Sequence, residues 1–249
     1  GLFLAAHLSW HAPFMAIAAM VGVLVIGAWQ TLPQLDAHLH HPDRASVWRS
    51  IGQVLVDANH MKAFALSAVM MFAGFTVIPY ITIYLQSNAG MHPEQVPWVY
   101  LLGGTATLLT ARLFGRLTDH VGKVKMFKRL AVAVSLPLMA TTLSAGLPLA
   151  ALLLISTAFF TVMSGRMIPG MALISSAVEP RLRGTFMTIN SAVQSAAMGF
   201  AAMVGGAIIG RDAQGQLTHY WVAGVIGVVA SLASVWLAGR VRLHGAPQA

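Results

Sequence analysis

Seven apolar runs, each about as long as a bilayer is thick, constrain this chain more than any other feature. They occupy residues 12–30, 62–85, 96–117, 127–145, 148–168, 185–210 and 219–239. A helix rises about 1.5 Å per residue, so about 20 apolar residues cross a hydrocarbon core of about 30 Å. Inside that core no water satisfies the backbone, and an isolated apolar run of this length meets the demand only as an α-helix. The expectation is an all-α polytopic membrane protein. Residues 1–9 read as the end of an earlier helix. The chain begins inside apolar sequence without an initiator Met, so Gly1 reads as a cut through a longer protein.

Composition excludes the soluble alternatives. The chain is 57% hydrophobic and 9% charged, with mean hydropathy +0.73, whereas soluble domains carry about 25% charged residues. The formal charge of +8 does not imply a nucleic-acid partner. That needs basic residues clustered on a soluble face, and here they lie between apolar runs. There are no cysteines, hence no disulfides or thiol chemistry.

The basic residues also set the orientation. If alternate connections lie on opposite sides, every Lys and Arg except Arg211 falls on one side. Cytoplasmic connections carry the Lys and Arg excess. Residues 31–61 and the C-terminus are therefore expected in the cytoplasm, and residues 47–56 form an amphipathic stretch suited to the interface.

Between two of the runs lies Gly115–Arg129, GRLTDHVGKVKMFKR, read as a short basic loop with Asp119 as its only acid. Its spacing G-x-L-x-D-x-x-G-x-x-K resembles the loop signature of the major facilitator superfamily. Gly115, Leu117, Asp119, Gly122, Lys123 and Lys125 stand at family positions, while His120 and Val124 replace usual basic residues. Glu179–Thr185, EPRLRGT, is a second, weaker family-like segment. The resemblance implies two six-helix lobes joined by a long cytoplasmic loop. Residues 1–30 then look like the remnant of an N-terminal lobe (the end of helix five, and helix six). Residues 31–61 look like the inter-lobe loop, and 62–242 like the C-terminal lobe, helices seven to twelve. It further implies a multi-pass protein of the bacterial inner membrane that moves a small organic solute by alternating access. The nearest subgroup is the efflux permeases of the drug and arabinose-export type. The rest of the N-terminal lobe would be the partner of this one.

The resemblance also implies a conformational latch built on Gly115, Asp119, Gly122 and Lys123, with Arg112 and Arg166 near the same boundary. The plainer reading is a positive-inside turn with one solvated acid. An acid such as Asp119 is favoured near a helix N-terminus. Arg166, in S-G-R-M-I-P-G, is read as sitting at a loosened helix end, where it either pairs with Asp119 or snorkels to the interface.

No Asp or Glu falls within a span, so this half carries no embedded proton carrier. Proton coupling, if used, would draw on an acid elsewhere. Polar candidates for substrate contact cluster in two runs. Thr76, Tyr80 and Tyr84 recur every four residues, hence on one helix face, beside Pro79. Asn190 and Gln194 do the same, with Thr188, Ser191 and Ser195 nearby. Both cavity lining and interhelical hydrogen bonding fit these two amides. Tyr84 also fits an interfacial anchor. Asp36–Asp43, DAHLHHPD, holds three histidines and two acids, but no spacing there fixes a metal geometry. A membrane-embedded sensor or metal-handling protein using that segment is the rival reading. No catalytic constellation and no cofactor motif stands out, so no enzyme is expected.

Overall fold

A computed structural model of the protein describes residues 8–31 and 47–244, with the side chain of Val47 left aside. The chain divides into two units, Gly1–Ser46 and Val47–Ala249. In the first, α1 (Ala12–Thr31) is apolar on every side and buries no residue. At about 1.5 Å per residue it is long enough to cross a bilayer.

The second unit is helical almost throughout. A short amphipathic helix, α2 (Val47–Val56), leads to α3 (Ala58–Phe75). Asp57 caps α3 by accepting from the amides of Asn59 and His60 at 2.7 and 3.0 Å. Burial works against the Asp57 carboxylate, but these two amides and the charges of His60 and Lys62 outweigh it and hold its pKa below the usual 3.8. A 3₁₀ turn, Ile78–Tyr80, containing Pro79, separates α3 from α4 (Ile81–Ser87). Next come α5 (Val96–Val121), α6 (Lys123–Ala133), α7 (Ser135–Thr142) and α8 (Leu149–Ser175). They are followed by α9 (Arg183–Ile208), a two-stranded antiparallel hairpin of β1 (Gly210–Arg211) and β2 (Leu217–Thr218), and α10 (Tyr220–Ala238).

Among the described residues five stretches are long and apolar enough to cross a membrane: α1, the combined α3–α4 from Ala58 to Ser87, α8, Pro180–Ile208 and α10. The other two expected runs are helical as well but differ in detail. The 127–145 run is broken at Val134 into α6 and α7. Pro137 explains the break, since it has no N–H for the carbonyl of Ala133, one turn earlier. The 96–117 run continues as helix to Val121.

Inside the second unit α5 packs on α8, and α3 packs on both α9 and α10. The contacts are close because glycines carry them. A Cβ on Gly227 of α10 would stand 2.7 Å from the carbonyl oxygen of Ala73, and one on Gly205 of α9 would stand 2.8 Å from that of Thr76. Small residues at helix crossings are how membrane helices gain packing without a hydrophobic driving force. Two apolar clusters result. One gathers Phe64, Met70, Phe127, Leu173 and Phe186. The other gathers Ile81, Val99, Leu138, Phe159, Met163 and Tyr220.

Candidate functional site

The signature segment is not the loop expected from the sequence. Gly115, Leu117 and Asp119 lie in the closing turns of α5, Gly122 alone interrupts the helix, and Lys123–Arg129 open α6. The backbone of Gly122 has φ +92° and ψ 142°, a region closed to residues with a Cβ. That one residue makes the corner. Gly115 is helical, with open space where a Cβ would stand.

Asp119 is exposed on the final turn of α5, beside Leu113, Arg116, Leu117 and His120. The expected N-terminal placement is therefore reversed. An acid at a helix C-terminus faces the negative end of the dipole, so local helix stability does not account for it. Arg112 is also exposed. Lys123 donates to Ser176 Oγ at 2.7 Å, and Ser176 ends α8. Its cation thus sits at a helix C-terminus, the favoured arrangement.

Arg166 departs furthest from expectation. It is wholly buried, so it does not snorkel, and Asp119 is not among its partners. Nη1 donates to Ser231 Oγ at 2.9 Å, and Nη2 to the Met70 carbonyl at 2.9 Å and Met163 Sδ at 3.3 Å. Nε is buried and has no partner among the described residues. None of these partners is a carboxylate. Ser231 in turn donates to the Ala131 carbonyl at 2.8 Å. The guanidinium therefore joins α8 to α3 and α10 and, through Ser231, to α6. It lies between the two apolar clusters, touching Met70 of one and Met163 of the other. The helix does not end near Arg166. It runs through Pro169 to Ser175, leaving the residue about 13 Å from that end.

The tyrosines and Thr76 do not share a face. The 3₁₀ turn at Pro79 resets the helical phase, so Thr76 lies under Gly227 of α10 while Tyr80 turns to α9. There the Tyr80 hydroxyl donates to the Ala202 carbonyl at 2.7 Å, and its ring covers Gly205 and Gly206. The Tyr84 ring packs at a tilt of 39° against Tyr220, 4.5 Å between ring centroids, and its hydroxyl accepts from the Ala145 amide at 3.2 Å. Thr76 and Tyr84 are buried inside the second unit.

Asn190 and Gln194 do share a face, turned inward. Gln194 Nε2 donates to Ser67 Oγ at 2.9 Å and approaches Met171 Sδ at 3.4 Å. Asn190 is fully buried, and among the described residues neither its Nδ2 nor its Oδ1 has a partner. Its neighbour one turn earlier, Phe186, stacks on Phe64 at 4.7 Å.

The outer face of α9 carries the hydroxyls that the sequence reading named only as neighbours of Asn190 and Gln194. Gly184, Thr188, Ser191, Ala192, Ser195 and Gly199 are all exposed. Thr188 and Ser191 donate back to the carbonyls of Gly184 and Met187 at 3.1 and 3.0 Å. Their oxygens keep lone pairs for an outside donor. The signal was present in the three- and four-residue spacing of the hydroxyls. The histidine segment Asp36–Asp43 lies outside the described residues. Among the described residues no group of three His, Asp or Glu is placed to hold a metal.

No solved structure matches this chain. Over 120 residues it is 23% identical to the Transcription regulatory protein OpdE of Pseudomonas aeruginosa, a stretch that covers 48% of this chain and 30% of that protein. The chain thus spans under a third of that relative's length. The model of the Major Facilitator Superfamily matches residues 1–168 and 63–248. With the whole chain from residue 1 to residue 248 inside those matches, this protein belongs to the major facilitator superfamily.

Proposed function

We propose that this chain is part of a secondary transporter that moves a small organic solute across a bacterial inner membrane by alternating access. In this reading residues 62–242 are its C-terminal six-helix lobe, and residues 1–30 belong to the N-terminal one. Residues 31–61 and the C-terminus face the cytoplasm, as the one-sided Lys and Arg favour. The observation that carries the reading is the exposed hydroxyl face of α9. Thr188, Ser191 and Ser195 lie on a helix long and apolar enough to span, and small hydroxyl residues are enriched where such helices face protein. That face therefore borders the cleft between lobes. Thr188, Ser191 and Ser195 meet the solute, with half-buried Gln194 and Tyr80 at the edge. Thr76, Tyr84 and Asn190 sit behind it. Asp119, with Arg112 and the Gly122 corner, latches the cytoplasmic side against the opposite lobe. Efflux coupled to an ion is the favoured direction, with the coupling acid in the N-terminal lobe, since no Asp or Glu falls within the spans here.

A membrane-embedded sensor is the second reading. It is favoured by the name of the relative, a transcription regulatory protein. Flux separates the two. The full-length protein in proteoliposomes, with an imposed proton gradient and a panel of labelled neutral and weakly charged solutes, is expected to move at least one of them. Ser191→Leu is expected to cut that flux by about tenfold, the effect of one lost hydrogen bond. Saturable binding without flux would contradict the transporter and support the sensor.

A further inference from the structure

A cavity of about 310 Å³ lies where the start of α3, the α8–α9 turn and the segment after α10 converge. Its walls include Gln53, Asp57, His60, Glu179, Arg181 and Arg242, with His244 at the same opening. None of these belongs to the α9 face or to the α5–α6 corner. Asn59 builds the enclosure. Its Nδ2 donates to the carbonyls of Ala177 and Arg242 at 3.1 and 2.9 Å, and its Oδ1 accepts from the Arg242 amide at 2.8 Å. The His244 amide adds a bond to the Ser176 carbonyl at 2.7 Å. The chain after α10 is thus pinned across the ends of α3 and α8, and the backbone that bears Arg242 and His244 is held in place before any ligand arrives.

Several wall groups are already spent. Asp57 Oδ1 takes both amides at the N-terminus of α3, while Oδ2 and its share of the charge stay at the wall. The Asn59 amide is fully engaged. His60, buried to 6% exposure, has Nδ1 3.2 Å from the Val54 carbonyl. A carbonyl only accepts, so Nδ1 carries the hydrogen and Nε2 is left for another partner. What remains is two guanidiniums, two imidazoles and the Gln53 amide, against the carboxylates of Glu179 and Asp57. Paired guanidiniums with histidines match the oxygens of a phosphate group, which they bind through charge-assisted and bidentate hydrogen bonds. The volume exceeds what a bare inorganic anion fills.

We propose that this cavity binds an organic phosphate, with Arg181 and Arg242 as its principal contacts. Two sources present that chemistry at the cytoplasmic surface: a free phosphate monoester, and the headgroup of an anionic phospholipid. Glycerol 3-phosphate and phosphatidic acid carry the same group in the two forms. The test uses the full-length protein in nanodiscs of phosphatidylcholine alone, or with phosphatidic acid added, and reads thermal stability and binding by titration. Glycerol 3-phosphate raising Tm in phosphatidylcholine discs identifies the free ester. A rise with phosphatidic acid alone identifies the lipid. In either case Arg181→Gln with Arg242→Gln is expected to weaken binding by about tenfold or more. Both arginines are exposed, so the variant is expected to fold. Asn59→Ala, which releases the pinned segment while leaving both charges, is expected to weaken binding by a smaller factor. No response to either phosphate, or equal responses in wild type and the double variant, would overturn the proposal. Solute flux plays no part in the readout, so failure of this site and failure of the transporter reading are distinguishable.

Discussion

A single guanidinium shows how the second unit is held together. Arg166 sits mid-helix with three hydrogen-bonded partners, an orphaned Nε and no carboxylate among those partners. Withdrawing a charge from water costs several kcal/mol unless well-placed dipoles repay it. Here the Met70 carbonyl and Ser231 hydroxyl repay part. Arg166→Ala removes these bonds and opens a cavity between the two apolar clusters, and is expected to cost about 2–5 kcal/mol. Arg166→Met keeps much of the volume and removes the desolvated charge, and is expected to cost under about 1.5 kcal/mol. Thermal unfolding of the two variants in one detergent checks this. Equal losses would mean that the hydrogen bonds, and not the filled space, carry the stability. Asn190 presents the neutral counterpart, an amide with neither end partnered, and nothing in the described contacts explains its place.

Helix breaks, more than helix bodies, decide which side chains meet. The bodies were legible: apolar runs of spanning length became α1, α3–α4, α8, α9 and α10, and the four-residue spacing of Asn190 and Gln194 correctly put both on one face. The breaks were legible only in part. Pro79 marked a kink, yet its consequence, sending Tyr80 to α9 and Tyr84 to Tyr220, depends on how far the 3₁₀ turn rotates the chain. Pro169 and Gly170 read as a loosened end, but α8 packs tightly enough on its neighbours to pass through both, so Arg166 is deep and not interfacial. The signature glycines looked equivalent and are not. Gly122→Ala forces a Cβ onto a backbone with φ +92° and is expected to cost about 1–3 kcal/mol. Gly115→Ala enters open space inside a helix and is expected to be neutral or to stabilise by up to about 1 kcal/mol. Paired stability measurements check the contrast, and equal effects would refute the assignment of the corner to Gly122 alone.

At the scale of the molecule, the second unit leaves much apolar side-chain surface uncovered. Leu108, Leu109 and Leu113 of α5 and Phe200 and Met203 of α9 are exposed, as expected of surfaces that meet lipid or another lobe. The hydroxyl face of α9 is exposed too, and small hydroxyl residues are enriched where membrane helices face protein. Which lobe or solute fills that neighbourhood was not legible in the sequence, because periodicity gives the face of a helix and not what lies opposite. The most direct measurement is reagent access to that face in the full-length protein. This chain has no cysteine, so Ser191→Cys and Leu154→Cys add single thiols to it. Leu154, on α8, is 73% exposed and has apolar neighbours in sequence. The account predicts that the thiol at position 191 reacts with a charged, membrane-impermeant maleimide and is protected by transported solute, while the thiol at 154 reacts only with a lipid-soluble one. Reaction at 191 confined to the lipid-soluble reagent would contradict it.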